Sequence, residues 1–255
     1  MAPLPSPPVE AAPTIRRIAH AHGNRRPWIA RALASGVEFI EADLRWYRGA
    51  IWVRHEHRLP VVPLLWNNRL RGFHRQGPFA LAIGPLWLRL DLRRLPFAEL
   101  LARLDGRADL MLDLKRDSLM AAEAERFVRA VFAALEASAF RGEVDFCGSW
   151  ELLDLVRRER PGQMVHYSID SGDDAERLFR LAENGAPGVT IHRDLLTAER
   201  AAWLRERGFD VIAWDIATRE QALAAIELGA SGIIADDLAM LRAIAGTPLM
   251  GDPRQ

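Results

Sequence analysis

The 255-residue chain carries 34 basic and 34 acidic residues, so its formal net charge at pH 7 is zero. This balance argues against a general nucleic-acid binder, which normally carries a basic excess. The single cysteine, Cys147, excludes an internal disulfide, and no apolar run approaches the roughly 20 residues that a transmembrane helix needs. The composition therefore predicts a cytoplasmic protein without a transmembrane segment.

The chain begins with a proline-rich stretch, "MAPLPSPPVEAAP". It has no apolar region of the kind that a signal peptide requires, so we interpret residues 1–13 as a disordered lead-in. Residues 14–246 are expected to form a single domain, and residues 247–255 a C-terminal tail.

Strand-like and helical runs alternate after the lead-in. The strand "TIRRIAH" precedes the helix "PWIARALASG", in which Pro27 suits the start and Gly36 the end. The strand "VEFIEAD" follows, and "AIWVRH" is interpreted as a side hairpin strand reached through the turn "YRG". Residues 58–95 lack a regular pattern and are interpreted as an irregular insertion.

The alternation continues to the end of the chain, and each predicted strand precedes a helical run. The strands are "DLMLDLK", "EVDFCGS", "QMVHYSI", "GVTIH", "DVIAWDI" and "GIIAD". Strands separated by helices favour right-handed crossovers and a parallel sheet. With the hairpin set aside there are eight strands, which predicts an α/β fold: a (β/α)8 TIM barrel with a small hairpin/loop insertion after the second strand. A doubly wound open sheet is the alternative.

Titratable residues collect where these strands end, which is the face of a barrel that carries active sites. Glu41 and Asp43 project to one side because residues i and i+2 of a strand share a face, and Asp113 and Lys115 do the same. Three carboxylates in one mouth would repel one another unless they held a divalent cation. Oxygen ligands without a thiolate favour Mg2+ or Ca2+.

Lys115 is the only lysine among the 34 basic residues. An ammonium beside a divalent cation suits a phosphate group. Other polar residues near strand ends have structural interpretations of similar weight. His166 and His192 either line the mouth or form structural hydrogen bonds, while Asp236 and Asp237 are expected to cap a helix rather than to bind a ligand.

Five motifs, in order, resemble the glycerophosphodiester phosphodiesterase family of the phospholipase-C-like phosphodiesterase barrels. They are "IAHAHGN", "GVEFIEADLR", "IWVRHEHRL", "LMLDLK", and the pair "VIAWDI" with "GASGIIADD". The resemblance extends from about residue 15 to residue 243. The family's His-Arg-Gly arginine is replaced by Ala21, and Glu56 stands where aspartate is usual. The short first spacer and "LDLKRDSL" are similar to the sphingomyelinase D branch.

The resemblance implies that His20 and His55 act as the general acid/base pair and that Glu41, Asp43 and Asp113 hold the metal. It also implies that Lys115 holds a phosphate oxygen and that Trp214 forms an apolar wall for the substrate. We expect His22 to replace part of the missing arginine, provided that the extended chain continues beyond His20.

The predicted activity is metal-dependent hydrolysis of a small phosphodiester, either a glycerophosphodiester or a lysophospholipid. The cofactor is one divalent cation, Mg2+ or Ca2+, and no nucleic-acid partner is expected. Two alternatives remain open: a lysophospholipase D-like or sphingomyelinase D-like phosphodiesterase, and a catalytically weak barrel that binds a phosphorylated ligand.

Overall fold

The computed structural model describes residues 14–58, 65–67, 80–83, 86–89, 95–116, 119–174 and 188–249. The lead-in predicted at residues 1–13 lies outside the described residues. So do the last six positions of the predicted tail and most of the helix predicted in "DAERLFRLAEN".

The described strands, in chain order, are β1 (Arg16–Ala19), β2 (Phe39–Tyr47), β3 (Ala50–Val53), β4 (His57–Arg58), β5 (Leu65–Asn67), β6 (Ala80–Ile83), β7 (Leu86–Arg89), β8 (Asp109–Lys115), β9 (Val144–Gly148), β10 (Val165–Ile169), β11 (Gly188–His192), β12 (Asp210–Trp214) and β13 (Gly232–Ala235). Eight of them form a parallel sheet in the order β1-β13-β12-β11-β10-β9-β8-β2, and β1 also pairs with β2. That last pairing closes the sheet, so the predicted (β/α)8 barrel is confirmed and the open-sheet alternative is wrong.

The described helices alternate with the barrel strands. They are α1 (Arg26–Ser35), α2 (Phe97–Leu104), α3 (Ala121–Ala137), α4 (Trp150–Glu159), α5 (Ala198–Glu206), α6 (Arg219–Glu227) and α7 (Leu238–Ala243). Local sequence sets their ends: α1 has proline at its second position and ends at Gly36, whose φ of 71° favours glycine. Thr218 and Gln221 form a capping box at the start of α6. No helix among the described residues is both long and apolar enough to cross a membrane.

Two hydrophobic layers follow from the alternation of side chains along each strand. In β2, Ile40, Ala42 and Leu44 face outward and join the large core between the sheet and the helices. Phe39 instead faces the barrel interior. There it joins a small buried layer with Ile18, Met111, Cys147, Ile212 and Ile234. This interior layer separates the two ends of the barrel.

A second, antiparallel sheet follows the hairpin. As predicted, β3 pairs antiparallel with β2, so "AIWVRH" is a side hairpin. The interpretation of residues 58–95 as irregular is partly wrong, because β4, β5, β7 and β6 pair in that order as a four-stranded antiparallel sheet. Each of these strands has only two to four residues, which is too short for an alternating pattern to be recognised in the sequence.

A polar cluster fills the barrel end where the strands begin. His166 Nε2 lies 2.7 Å from Asp210 Oδ2, and Arg16 bonds both Asp210 and Asp145. His166 is fully buried and is the second residue of β10. The suggestion that His166 lines the mouth is therefore wrong. Gly188 makes room for it, since a Cβ there would lie 2.4 Å from the imidazole.

Candidate active site

Glu41, Asp43 and Asp113 converge at the opposite end of the barrel. The neighbouring strands β2 and β8 are parallel, and their register sets Asp43 beside Asp113. One carboxylate oxygen from each of the three residues lies within 4.8 Å of the others. Glu41 and Asp43 are almost completely buried, with exposures of 2% and 1%. The alternation of side chains along each strand therefore predicted this group correctly, although its acids come from two separate stretches of the chain.

The turn after β1 holds two of these carboxylates in place. The backbone N–H of Ala21 donates to Glu41 Oε2. Asn24 and Asp43 form a reciprocal pair, in which Asn24 Nδ2 donates to Asp43 Oδ2 at 2.5 Å and the Asp43 N–H donates to Asn24 Oδ1 at 2.9 Å. Asn24 was not predicted from the sequence, because nothing in its spacing distinguishes it from an ordinary turn residue. The reciprocal bonds fix the orientation of the Asp43 carboxylate.

Lys115 joins the two aspartates. Its Nζ lies 2.8 Å from Asp43 Oδ1 and 2.5 Å from Asp113 Oδ2. Burial favours the neutral amine, but the charges of Asp113, Asp43 and Glu41 outweigh it and raise the pKa of Lys115 above its usual value. The only lysine of the chain is therefore a charged ammonium at pH 7 inside an acidic cluster. It carries one positive charge against three carboxylates.

The titration of the acids reflects this imbalance. Burial and the neighbouring Asp43 charge raise the pKa of Glu41. Burial opposes ionisation of Asp43 as well, but Lys115 and the hydrogen bond from Asn24 contribute to holding its pKa below the usual range. Two buried carboxylates with opposite shifts share one ammonium, which indicates that a second cation would stabilise the fully ionised cluster.

The donor set fits a divalent cation. Mg2+ and Ca2+ bind oxygens at about 2.0–2.6 Å, so two ligands on one ion lie up to about 5 Å apart. The 4.8 Å limit on the oxygens of Glu41, Asp43 and Asp113 satisfies this geometry. In addition, Asp113 Oδ1 is buried and has no hydrogen-bond partner among the described residues. A buried carboxylate oxygen without a donor is costly unless a cation completes it.

Gly148 allows Asp113 to occupy this position. The glycine ends β9 with φ of 105°, and a Cβ built there would lie 2.2 Å from Asp113 Oδ1 and 2.7 Å from the Leu114 carbonyl oxygen. Only a residue without a side chain combines this backbone conformation with so close an approach. The small residue at 148 is therefore part of the carboxylate cluster's construction.

His20 follows directly after β1 and faces the same mouth. Its Nδ1 lies 2.6 Å from Asp236 Oδ1, and 47% of its side chain is exposed. Desolvation would lower the pKa of His20, but the hydrogen bond to Asp236 and the charges of Glu41, Asp236 and Asp43 raise it to about 9. Of the two aspartates expected to cap a helix, Asp237 caps α7 by accepting from the N–H groups of Ala239 and Met240, and Asp236 pairs with His20.

His55 lies in the turn that follows β3. Burial is the largest influence and lowers its pKa, as do the positive charges of Lys115 and Arg45. The negative charge of Asp43 raises the pKa by less, so the pKa falls to about 4. His55 is therefore neutral at pH 7, while His20 is protonated. Two histidines whose pKa values are driven apart in one site are suited to opposite proton-transfer roles.

His22 does not share the face of His20. Ala21 has φ of 54°, so the chain leaves the extended conformation and enters a short 3-10 turn. His22 is 5% exposed, and its Nδ1 lies 2.9 Å from the His20 carbonyl oxygen. The conformational assumption behind its predicted role is thus wrong. Burial lowers the pKa of His22, so it is neutral at pH 7 and its contact with substrate stays a prediction.

The far wall of the mouth carries Trp214 and His192, which end β12 and β11. Their rings meet edge to face with centroids 4.6 Å apart. His192 Nε2 lies 3.2 Å from Asp215 Oδ2. Asp215 has φ of 61°, an uncommon value for a residue other than glycine. Trp214 ends β12 and packs on the interior hydrophobic layer, and its role as an apolar wall for the substrate stays a prediction.

Comparisons with known proteins extend over nearly the whole chain. No protein-family model and no curated protein sequence matches it. Among solved structures, a glycerophosphodiester phosphodiesterase from Parabacteroides distasonis is similar, with 18% identity, TM-score 0.67, and coverage of 92% of this chain and 98% of the other. A phosphodiesterase from Oleispira antarctica, solved with the product sn-glycerol-3-phosphate, has 16% identity, TM-score 0.66, and coverage of 91% and 95%.

A third similar structure, from Silicibacter pomeroyi, is provisionally assigned as a glycerophosphoryl diester phosphodiesterase. It has 21% identity, TM-score 0.70, and coverage of 91% of this chain and 93% of the other. At these identities the likeness establishes a common fold. The chain therefore has the barrel architecture found in these phosphodiesterases.

Proposed function

We propose that the protein is a phosphoric diester hydrolase that uses one divalent cation, Mg2+ or Ca2+, to cleave a glycerophosphodiester or lysophospholipid. The observation that carries this proposal is the convergence of Glu41, Asp43 and Asp113 with the ammonium of Lys115. The charge of Asp43 influences both His20 and His55, which lie at the same mouth, and the charge of Glu41 also acts on His20. This combination supplies the groups that phosphodiester cleavage requires.

The carboxylate cluster would hold the cation, and the unpartnered Asp113 Oδ1 supports this role. When bound, the cation would polarise a phosphoryl oxygen and offset its negative charge. Lys115 would hold a second non-bridging oxygen as a fixed point charge. Trp214 would bound the alcohol part of the substrate with an apolar surface.

The histidines would divide the proton transfers between them. His55, neutral at pH 7, accepts the proton of the attacking hydroxyl as the new P–O bond forms. His20, protonated and oriented by Asp236, donates from Nε2 to the leaving alkoxide as the old P–O bond breaks. Such proton transfers typically contribute about 10²–10⁴-fold each to the rate. The attacking hydroxyl belongs either to water or to the substrate. If it belongs to the substrate, a cyclic phosphate forms before the final hydrolysis.

The barrel fold shared with phosphodiesterases supports the reaction class, and the Oleispira antarctica structure with sn-glycerol-3-phosphate supports a small phosphodiester as substrate. The sphingomyelinase D-like and binding-only alternatives share the same predicted site. A cytoplasmic location stays a prediction from the sequence.

The test is release of alcohol from glycerophosphocholine and from lysophosphatidylcholine, with Mg2+, with Ca2+ and with a chelator. We expect turnover that the chelator abolishes, that His55→Ala reduces at least 100-fold, and that Glu41→Gln reduces together with cation affinity. Asp194→Asn is the matched control, because its carboxylate is 70% exposed and outside the cluster.

Each outcome selects one function. Turnover of lysophosphatidylcholine alone would indicate the lysophospholipase D-like alternative. Binding of glycerol 3-phosphate without turnover would indicate the catalytically weak barrel. Turnover that survives both the chelator and the His55→Ala substitution would refute the mechanism.

A further inference from the structure

Arg45 is a buried cation next to the carboxylate cluster that has no role in the function proposed above. In β2 it follows Glu41 and Asp43 at intervals of two residues, so it points into the barrel mouth with them. The strand register sets it beside Lys115 of β8. Arg45 is 3% exposed, and a buried guanidinium is rare unless its donors are used.

The guanidinium grips the backbone of the segment that carries His55. Arg45 Nε and Nη2 both donate to the His55 carbonyl oxygen, at 3.1 Å and 2.6 Å. Two charge-assisted donors on one acceptor fix direction as well as distance. The contact therefore restrains the backbone of His55 through a barrel strand ten residues earlier in the chain.

His55 needs such a restraint because no barrel strand carries it. It lies beyond the end of β3 in a turn, whereas His20 is joined directly to β1. Next to it in the chain, the Arg54 N–H donates to the Asp43 carbonyl oxygen at 2.8 Å. Glu56, on its other side, is buried and lies 3.5 Å from Arg25. Contacts of Arg54 and Glu56 thus hold the turn on both sides of His55, and Arg45 bonds the backbone of His55 itself.

We propose that Arg45 is a positioning residue that clamps the His55 carbonyl and so sets the place of the His55 imidazole relative to the carboxylate cluster. This inference rests on the proposed function and extends it to a residue that contacts the histidine's backbone rather than the substrate. A displacement of about 1 Å in a reacting group costs on the order of 10²-fold in rate. Loss of the clamp should therefore lower kcat and leave substrate binding largely intact.

The kinetic experiment compares wild type with Arg45→Ala, Arg45→Lys and Arg17→Gln. Arg17 is the matched control, since it is also a buried arginine that clamps a backbone carbonyl, donating to the Gly36 oxygen at 2.6 Å at the other end of the barrel. We expect Arg45→Ala to lose about 10²-fold in kcat, with KM and the inhibition constant of glycerol 3-phosphate changed less than threefold. Added guanidinium should restore part of the lost rate.

Arg45→Lys serves if the alanine variant does not fold. It keeps the charge but loses the two-donor fork, so kcat should still fall at least tenfold. Activity within threefold of wild type in both variants would overturn the proposal. A loss of glycerol 3-phosphate affinity equal to the loss of kcat/KM would also overturn it, because it would show direct contact with phosphate. Arg17→Gln should lower thermal stability and keep kcat.

A second measurement does not depend on turnover. Amide hydrogen exchange at Arg54 reports the attachment of the turn to β2. We expect at least tenfold faster exchange in Arg45→Lys than in wild type or Arg17→Gln, and unchanged exchange would contradict the clamp. If wild type lacks phosphodiesterase activity while the exchange result holds, the proposed function fails and the structural clamp stands.

Discussion

Replacement of Gly148 by alanine tests whether the carboxylate cluster depends on a single close approach. The new Cβ would lie 2.2 Å from Asp113 Oδ1 and within 2.9 Å of the Leu114 backbone nitrogen, in a residue with φ of 105°. Relief of the clash requires the Asp113 carboxylate to withdraw by about 1 Å, because ordinary carbon contacts begin near 3.4 Å. The substitution therefore acts on Asp113 without changing its chemistry.

Two effects contribute to the expected loss of stability. A side chain in the left-handed region costs about 1–2 kcal/mol, and overpacking of a tight site adds about 1–3 kcal/mol. For a domain of this size each kcal/mol lowers Tm by about 2–4 °C, so Gly148→Ala should lower Tm by roughly 4–20 °C. The displaced ligand should reduce cation affinity and lower kcat about 100-fold.

Gly208→Ala is the matched control, since Gly208 also has positive φ, 72°, but a Cβ there meets no atom within 4 Å. It should cost about 1–2 kcal/mol for the backbone conformation alone and leave cation affinity and kcat unchanged. The measurements are thermal unfolding, calorimetric titration with Mg2+ and Ca2+, and turnover. The reasoning is refuted if Gly148→Ala binds the cation and turns over within threefold of Gly208→Ala.

Three further predictions concern cation binding, His20 and the floor of the barrel. A cation at about 100 times its Kd should stabilise the protein by about 2.7 kcal/mol. Thermal scans with the cation and with a chelator should therefore give different Tm values for wild type, and Glu41→Gln should remove this difference. Asp236→Ala should reduce kcat by about 10–100-fold by freeing the His20 ring, and an unchanged kcat would show that Asp236 has no positioning role. The hydrogen bond with His166 and the other partners lower the pKa of Asp210. The ionised Asp210 carboxylate therefore stabilises the folded state above about pH 4, and this stabilisation is lost as the pH falls further. In acid titrations, the free energy of unfolding should depend less steeply on pH in Asp210→Asn than in wild type.

Alternation along single strands was the most informative sequence signal. It grouped Glu41 with Asp43 and Asp113 with Lys115, and the limits of β8 were predicted to the residue. The same rule, carried one step further along β2, would have found Arg45. The sequence could not show which acid would pair with which histidine, because His20 and Asp236 are 216 residues apart. Only the parallel pairing of β1 with β13 brings them together.

Other errors have equally local causes. Of the two alternatives for His166, the structural hydrogen bond is confirmed and the place at the mouth is wrong, because a histidine in the middle of "QMVHYSI" does not reveal where the strand begins. His22 depended on continued extension, and one left-handed residue, Ala21, turned it away. Both cases show that an error of a residue or two at the end of a strand moves a side chain to another environment.

The apolar layer across the barrel interior has a consequence for how this protein can change. It separates the charged mouth from the polar floor, and among the described residues no hydrogen bond joins the network of Asp210 and Arg16 to the carboxylate cluster. Substitutions at the polar floor can thus change thermal stability while the active-site chemistry is retained. Substitutions at the mouth can change substrate preference without weakening the floor. Engineering could treat the two ends of the molecule as independent modules.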